Sequence, residues 1–358
     1  MDPKFVPTRG RVFTLTMKAL ALARGDAYGA AAWAEAQNFS PYIRDDVVSS
    51  LKSLVSPEGT STTLRPPSPA EFDFAEFIRP LTIIGRLIGL RKAASRVRQI
   101  AAVSGSSAYW SGEGNWRPVS QMDFTGQTIN ELGVTSILVS TLELIRSSDP
   151  AAESIFSRDL ATGITQAVDQ AFIDPANLGI ANVMPAAITA DATAIHSSGS
   201  SLAEIDSDLS LLIEALADSG STLEYATFIL RPRTALYLSL LRGSGGALAH
   251  PQLTVKGGYL AGLPAIVSAS VPSEIGSPIL GRSITLVDPS QILVCDSGQS
   301  ALEISEETAL QMSNAPGSGA TSLVSLWQNS SVALKLTRYL NWQAVRPGMA
   351  QVLDQVNY

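Results

Sequence analysis

The chain has 358 residues, of which 45% are hydrophobic and only 16% charged, and its net charge is −7. A charged share well below the roughly 25% of ordinary soluble domains implies that much of the surface is covered by something other than water. The acidity excludes a protein built to hold nucleic acid by neutralising phosphates, and the single Cys295 excludes a disulfide within one chain and fits synthesis in a reducing compartment.

The N-terminal MDPKFVPTRG has two prolines, an acidic residue and no apolar core, so no signal peptide is expected. Residues 13–24, 28–35 and 45–55 read as helices from their apolar spacing. They form a helical unit over residues 1–55. The Pro/Ser/Thr-rich stretch from Ser56 to Pro69 follows as a linker or extended arm. The most apolar run, residues 81–90, is broken by Arg86 and falls far short of the ~20 residues of a spanning helix, so no membrane segment is expected. Basic residues gather just beyond it in RLIGLRKAASRVR, at Arg86, Arg91, Lys92, Arg96 and Arg98. Such a cluster suits either phosphate or a subunit contact, and the acidic chain favours the contact.

Residues 97–103 and the stretch from Met122 onward favour extended structure and flank the loop VSGSSAYWSGEGNWRPV. A long hairpin is the economical reading. The loop is rich in glycine yet holds Tyr109, Trp110 and Trp116, two of the five tryptophans in the chain. Either both tryptophans cover the protein's own core, or the loop docks on another chain. After a further extended stretch at residues 131–139, Asp149 and Pro150 open a helix of about 24 residues and roughly 36 Å. Its apolar stripe is expected to run through Ile155, Leu160, Ile164, Val168 and Phe172. A capping box at Ser201-Leu-Ala-Glu204 starts another helix, Tyr225 to Leu230 reads as a buried strand, and Pro232 begins a short helix through Leu241. Glycine turns at 243–246, 257–258 and 262 then alternate with short strands, including residues 284–286, 291–295, 301–305 and 331–340. The class is α+β.

Chemistry finds little foothold. His196 and His250 are the only histidines, each beside loop residues, and no Cys/His pair has metal-ligand spacing. Phosphate-loop and nucleophile-elbow motifs are missing, and Gly112-Glu-Gly114 lacks the strand-to-helix context of a dinucleotide loop. The carboxylates of EISEE, Glu303, Glu306 and Glu307, suit a solvated strand end better than acid–base work. No cofactor, no metal and no enzymatic activity is expected.

Five stretches in order carry a resemblance: YWSGEGNWRPVSQMDF, SSDPAAESIFSRDLATGITQAVDQAFI, TFILRPRTALYLSLL, LAGLPAIVS and SLWQNSSVALKLTRYLNWQAVRPGMA. Over roughly residues 75–358 the chain resembles the major capsid proteins of tailed bacteriophages, which share the Hong Kong 97-type shell fold. The resemblance implies a linker and N-arm at 56–102 and an extended loop at 103–130. It places a peripheral domain with a long spine helix at 131–190, an axial domain at 191–300, returning peripheral strands at 301–345 and a C-terminal tail at 346–358. One departure is Arg231 before Pro232, where the family more often has Asn. The implied function is self-assembly into an icosahedral shell of pentamers and hexamers around double-stranded DNA, without specific DNA binding. Portal, scaffolding or protease proteins and a decoration protein are the implied partners, and the virion, assembled in the host cytoplasm, is the implied location. An encapsulin-like nanocompartment or a soluble enzyme are the alternatives, and the helical preface argues against the nanocompartment. On this reading Tyr109, Trp110, Gly112, Glu113, Gly114, Trp116, Arg117 and Pro118 form the subunit contact of the extended loop. An arm with no core of its own orders only by docking, and Trp, Tyr and Arg carry most energy at such docks.

Some members of the family join a loop lysine to an asparagine of a neighbour. The amine is the nucleophile, and arginine, permanently protonated, cannot replace it. Between Ala93 and Val255 this chain has no lysine, and FTGQT holds Gly126 and Gln127 where a cross-linking member has Lys. Mature particles boiled in detergent are therefore expected to give one band at or below 37.7 kDa on a denaturing gel. A ladder of subunit multiples would refute this.

Overall fold

A computed structural model describes residues 9–54, 67–102, 110, 124–146, 150–243, 245–272, 282–312 and 323–358. Five helices come first: Arg11–Leu22 (α1), Ala27–Ala36 (α2), Pro41–Ser53 (α3), Pro69–Ile78 (α4) and Ile83–Arg86 (α5). Four strands follow, Arg91–Lys92 (β1), Arg98–Ala102 (β2), Phe124–Thr128 (β3) and Leu132–Thr141 (β4), and then two helices, Leu142–Arg146 (α6) and Pro150–Ile173 (α7). The middle of the chain holds Ala194–His196 (β5), Leu202–Asp218 (α8), Thr227–Leu230 (β6), Pro232–Leu240 (α9), Leu253–Thr254 (β7), Gly257–Leu260 (β8) and Leu263–Val267 (β9). The rest is strand: Arg282–Val287 (β10), Ile292–Cys295 (β11), Ser300–Ser305 (β12), Ala309–Gln311 (β13), Leu323–Ser325 (β14), Ser331–Ala344 (β15) and Ala350–Val356 (β16). Among the described residues no helix is long and apolar enough to cross a membrane.

The chain divides into two compact units. The first comprises Met1–Arg86, Gly133–Val168 and Ser297–Leu340. Here α1 begins at Gly10, whose φ of 82° brings no capping side chain. Asp73 of α4 supplies the cap from a distance, its carboxylate accepting from the backbone N–H groups of Gly10 at 2.8 Å, Val12 at 2.8 Å and Phe13 at 3.2 Å. An anion at this position also meets the positive end of the helix dipole. The Phe13 and Phe74 rings lie 4.4 Å apart beneath it. Leu15, Ala19 and Leu20 of α1, Ala30 and Ala34 of α2, Val47 and Leu51 of α3 and Ala70 of α4 form one buried cluster, on which Leu302 and Ile304 of β12 pack. Arg24, just past α1, reaches Glu306 at 3.5 Å.

Ser68 and Pro69, read above as the end of a linker, are instead the N-cap and first residue of α4. Ser68 and Glu71 form a capping box, with Ser68 N–H donating to Glu71 Oε2 at 2.6 Å. Within α7 the buried stripe is Phe156, Leu160, Ile164, Val168 and Phe172, whereas Ile155 is 63% exposed. Phe156 is four residues before Leu160, and Ile155 stands a further 100° round the helix.

The second unit comprises Leu87–Leu132, Asp169–Asp296 and Asn341–Tyr358. Its seven-stranded sheet runs β5-β16-β10-β6-β9-β8-β7. All four residues of β6 are buried, which explains its unbroken apolar run. The Ser201–Glu204 capping box holds the start of α8, and Ile205, Leu209, Leu212 and Leu216 pack against Phe228, Leu230, Ile284, Leu286 and Leu353. Val255 and Lys256 turn β7 into β8, and Gly257 and Gly258, read above as the turn, instead open β8 at φ 119° and 143°, where a side chain is disfavoured. The end of α7 is closed by the returning chain: Ile188 N–H donates to Phe172 O and the Thr189 hydroxyl to Ile173 O, each at 3.0 Å. Trp342 stands edge-on to Phe172 and donates from Nε1 to Ala186 O at 2.8 Å.

Removing the Asp73 cap should cost about 1–2 kcal/mol. Asp73→Ala is expected to lower the thermal midpoint and to speed proteolysis within residues 9–54. An unchanged midpoint together with unchanged proteolysis would show that the cap is dispensable.

Candidate subunit interface

The loop that the sequence singles out rises from an antiparallel ladder. β2 and β3 pair from Arg98 opposite Thr128 to Ala102 opposite Phe124, so the intervening chain leaves and returns at one point. Its foot is fixed, because Arg96 N–H donates to Ile129 O at 3.0 Å and Ile129 packs with Ala93, Leu293, Cys295 and Val345. Asn341 donates from Nδ2 to Asn130 O at 2.5 Å.

Trp110 has a relative exposure of 105%. This indole covers none of the chain's own core, which disposes of the self-covering reading for this residue. A tryptophan side chain carries on the order of 150–250 Å² to bury, and left in water it has no offsetting contact. Tyr109, Gly112, Glu113, Gly114, Trp116, Arg117 and Pro118 lie outside the described residues.

The basic cluster is divided between the two units, with Arg86 in the first and Arg91, Lys92, Arg96 and Arg98 in the second. Arg86 donates from Nε to Thr82 O at 3.3 Å. Arg91 and Lys92 are exposed on β1, which pairs in parallel with Leu293 and Val294 of β11. Arg96 is exposed at a φ of 61°, and the side chain of Arg98 lies outside the described ones.

Most of the groups with chemical potential are engaged structurally. His196 Nδ1 stands 2.5 Å from Asp354 Oδ1 across the β5–β16 pairing. His250 is largely covered rather than solvated, 3.9 Å from Asp206. In EISEE, Glu303 pairs with Lys335 at 3.1 Å, and Glu306 with Arg24. Burial, and secondarily the Glu131 carboxylate, push the Cys295 thiol up to about 11, so it stays protonated at neutral pH and is a poor nucleophile. Among the described residues no three metal-capable side chains come together.

Sequence reasoning missed other exposed apolar side chains. In the first unit Leu323 and Trp327 stand in and beside β14, and in the second Leu178, Ile180 and Val183 line the turn after α7. The SLWQNSS stretch around Trp327 entered only as part of the family resemblance, although a tryptophan between polar turn residues is the same signal as Trp110.

Residues 76–320 match the family model described as the phage capsid family. The chain is 36% identical over 294 residues to the capsid polyprotein of Pseudomonas phage PAJU2, a match covering 80% of this chain and 44% of that protein. It therefore spans less than half the length of that relative. A solved structure from Mycobacterium phage Adephagia superposes with a TM-score of 0.55 at 14% identity, covering 88% of this chain and 98% of the other. One from Gordonia phage Cozz gives 0.53 at 17% identity, covering 77% and 85%. An α+β chain with an exposed aromatic on a paired arm, a long helix and these matches belongs to the phage capsid family, with the Hong Kong 97-type fold.

Proposed function

We propose that the chain is the major capsid protein of a tailed bacteriophage, a structural subunit that assembles with copies of itself into the icosahedral shell around the genome. The observation that carries this is Trp110, wholly exposed beyond the ladder of β2 and β3 in a chain of the phage capsid family. Large aromatics placed in water by a folded frame mark a surface that another chain covers. A head-to-tail contact of this kind closes into rings when repeated by rotation.

In this reading residues 103–130 are the extended loop, α7 is the spine of the peripheral domain, and residues 191–300 supply most of an axial domain around five- and sixfold axes. Residues 346–358 return to that domain. The pairing of β16 with β10 and β5 supports the last point. Portal, scaffolding or protease proteins and a decoration protein are the further partners, and assembly takes place in the host cytoplasm. Packaged duplex is contained without being gripped, as the net charge of −7 suits.

The purified chain should elute as capsomers or megadalton shells, and a small defined oligomer would contradict the proposal. Replacing Trp110 and Trp116 together by alanine should leave the melting temperature unchanged while each shell contact loses about 2 kcal/mol or more. Unfolding of the double variant would instead make these residues core. Binding of duplex DNA by isolated subunits should be weak and salt-sensitive. Sub-micromolar binding at physiological salt would oppose a containing role.

A further inference from the structure

Three arginines crowd the start of α9 in the second unit. β6 pairs antiparallel with β10, Ile229 opposite Thr285, and leads straight into α9, while Arg282 opens β10. Arg282 donates from one guanidinium nitrogen to the main-chain oxygen of Tyr358 at 3.1 Å, and the Thr234 hydroxyl donates to the same oxygen at 3.4 Å. Arg282 is therefore held at the first turn of α9, next to Arg231 and Arg233. Arg231 donates to Val271 O at 2.6 Å. Each guanidinium has five N–H donors, so most remain unspent. Among the described residues no side-chain carboxylate pairs with any of the three. Burial, and then the charges of Arg233 and Arg231, hold the Arg282 guanidinium below its usual range, as expected where like charges crowd together.

The same unit carries the opposite charge on α8. Its inner side packs through Ile205, Leu209, Leu212 and Leu216, and Glu214 and Asp218 stand exposed on the outer side, one turn apart. Neither pairs with a described basic side chain. Like charges four residues apart cost a helix a few tenths of a kcal/mol. Leu211, 47% exposed, lies beside them.

A head-to-tail contact between identical subunits requires two different surfaces on each copy, one to offer and one to receive. We infer that Arg231, Arg233 and Arg282 form a docking site for the Glu214 and Asp218 carboxylates of a second copy of this chain. Arginine suits this role because its planar fork grips a carboxylate through two parallel hydrogen bonds. The inference rests on the shell-forming reading above and adds to it which charges select the neighbour.

The test uses the full chain and three variants: Arg233→Gln, Glu214→Gln with Asp218→Gln, and all three changes together. Arg233, Glu214 and Asp218 are all exposed, so folding, followed by circular dichroism and melting, should be unchanged. Each one-sided variant should cut assembly about tenfold, and the combined variant should match the loss of the Glu214 and Asp218 variant, since both remove the same contact. The inference is overturned if folded one-sided variants assemble like the wild type, or if the two losses multiply in the combined variant. It is also overturned if Arg233→Gln assembles normally but loses binding to duplex DNA, since the arginines then serve phosphate. A wild-type chain that never assembles refutes the shell reading itself, which is a different result from an assembling wild type with indifferent variants.

Discussion

One strand pairing organises the chain. β15 pairs with β11 in the second unit, from Ile292 opposite Ala344 to Cys295 opposite Asn341, and with β12 in the first, from Ser300 opposite Arg338 to Ser305 opposite Ala333. Between the two ladders five steps on one strand stand against three on the other, and two of the five boundaries along the chain fall at this shift, at Asp296/Ser297 and Leu340/Asn341. A slip of one residue in β15 would turn Val332, Leu334 and Leu336 out of their buried positions and break both ladders at once. The site inherits this constraint, since β12 covers the helical cluster while β11 pairs with β1 and lends Leu293 and Cys295 to the cluster beneath the loop.

The low charge content has the same origin as the exposed aromatics. A monomer that kept Trp110, Trp327, Leu178 and Val183 in water would carry a standing hydrophobic penalty. If, as proposed, other copies cover these side chains, the sequence is composed as though part of its exterior were interior. Charged pairs do occur on the surface, such as Lys335 with Glu303 and Lys52 with Glu35, and pairs of this kind contribute little to stability.

Local chemistry made some elements legible in advance. Pro150 to Ile173 stands as read, because a proline start and a four-residue apolar spacing are written into adjacent residues. The Ser201 capping box is equally explicit. Ser68-Pro-Ala-Glu71 carries the same signal and was passed over, because it follows a proline- and serine-rich run. Ile155 was placed on the buried stripe since hydrophobicity alone does not separate neighbouring faces; Phe156 holds that place. For the candidate interface, Trp110 stood out as an aromatic among glycines. The arginines at α9 did not, since Arg282 is held near that helix only through Tyr358 O, to which Thr234 also donates. Likewise Asp73 gives no local hint that it caps a helix whose first turn lies more than sixty residues earlier.

That distant cap has a consequence for the chain as it leaves the ribosome. α1 is synthesised before α4, so the carboxylate that closes its N-terminus arrives 63 residues later, and Leu302 and Ile304 of β12 join its cluster later still. Until then the nascent helices present an apolar face that nothing in the growing chain yet covers. Such surfaces are what chaperones bind and what drives premature association between neighbouring nascent chains. These helices are thus made well before the residues that complete them, a delay that leaves translation speed and chaperone capacity to govern the yield of competent subunits.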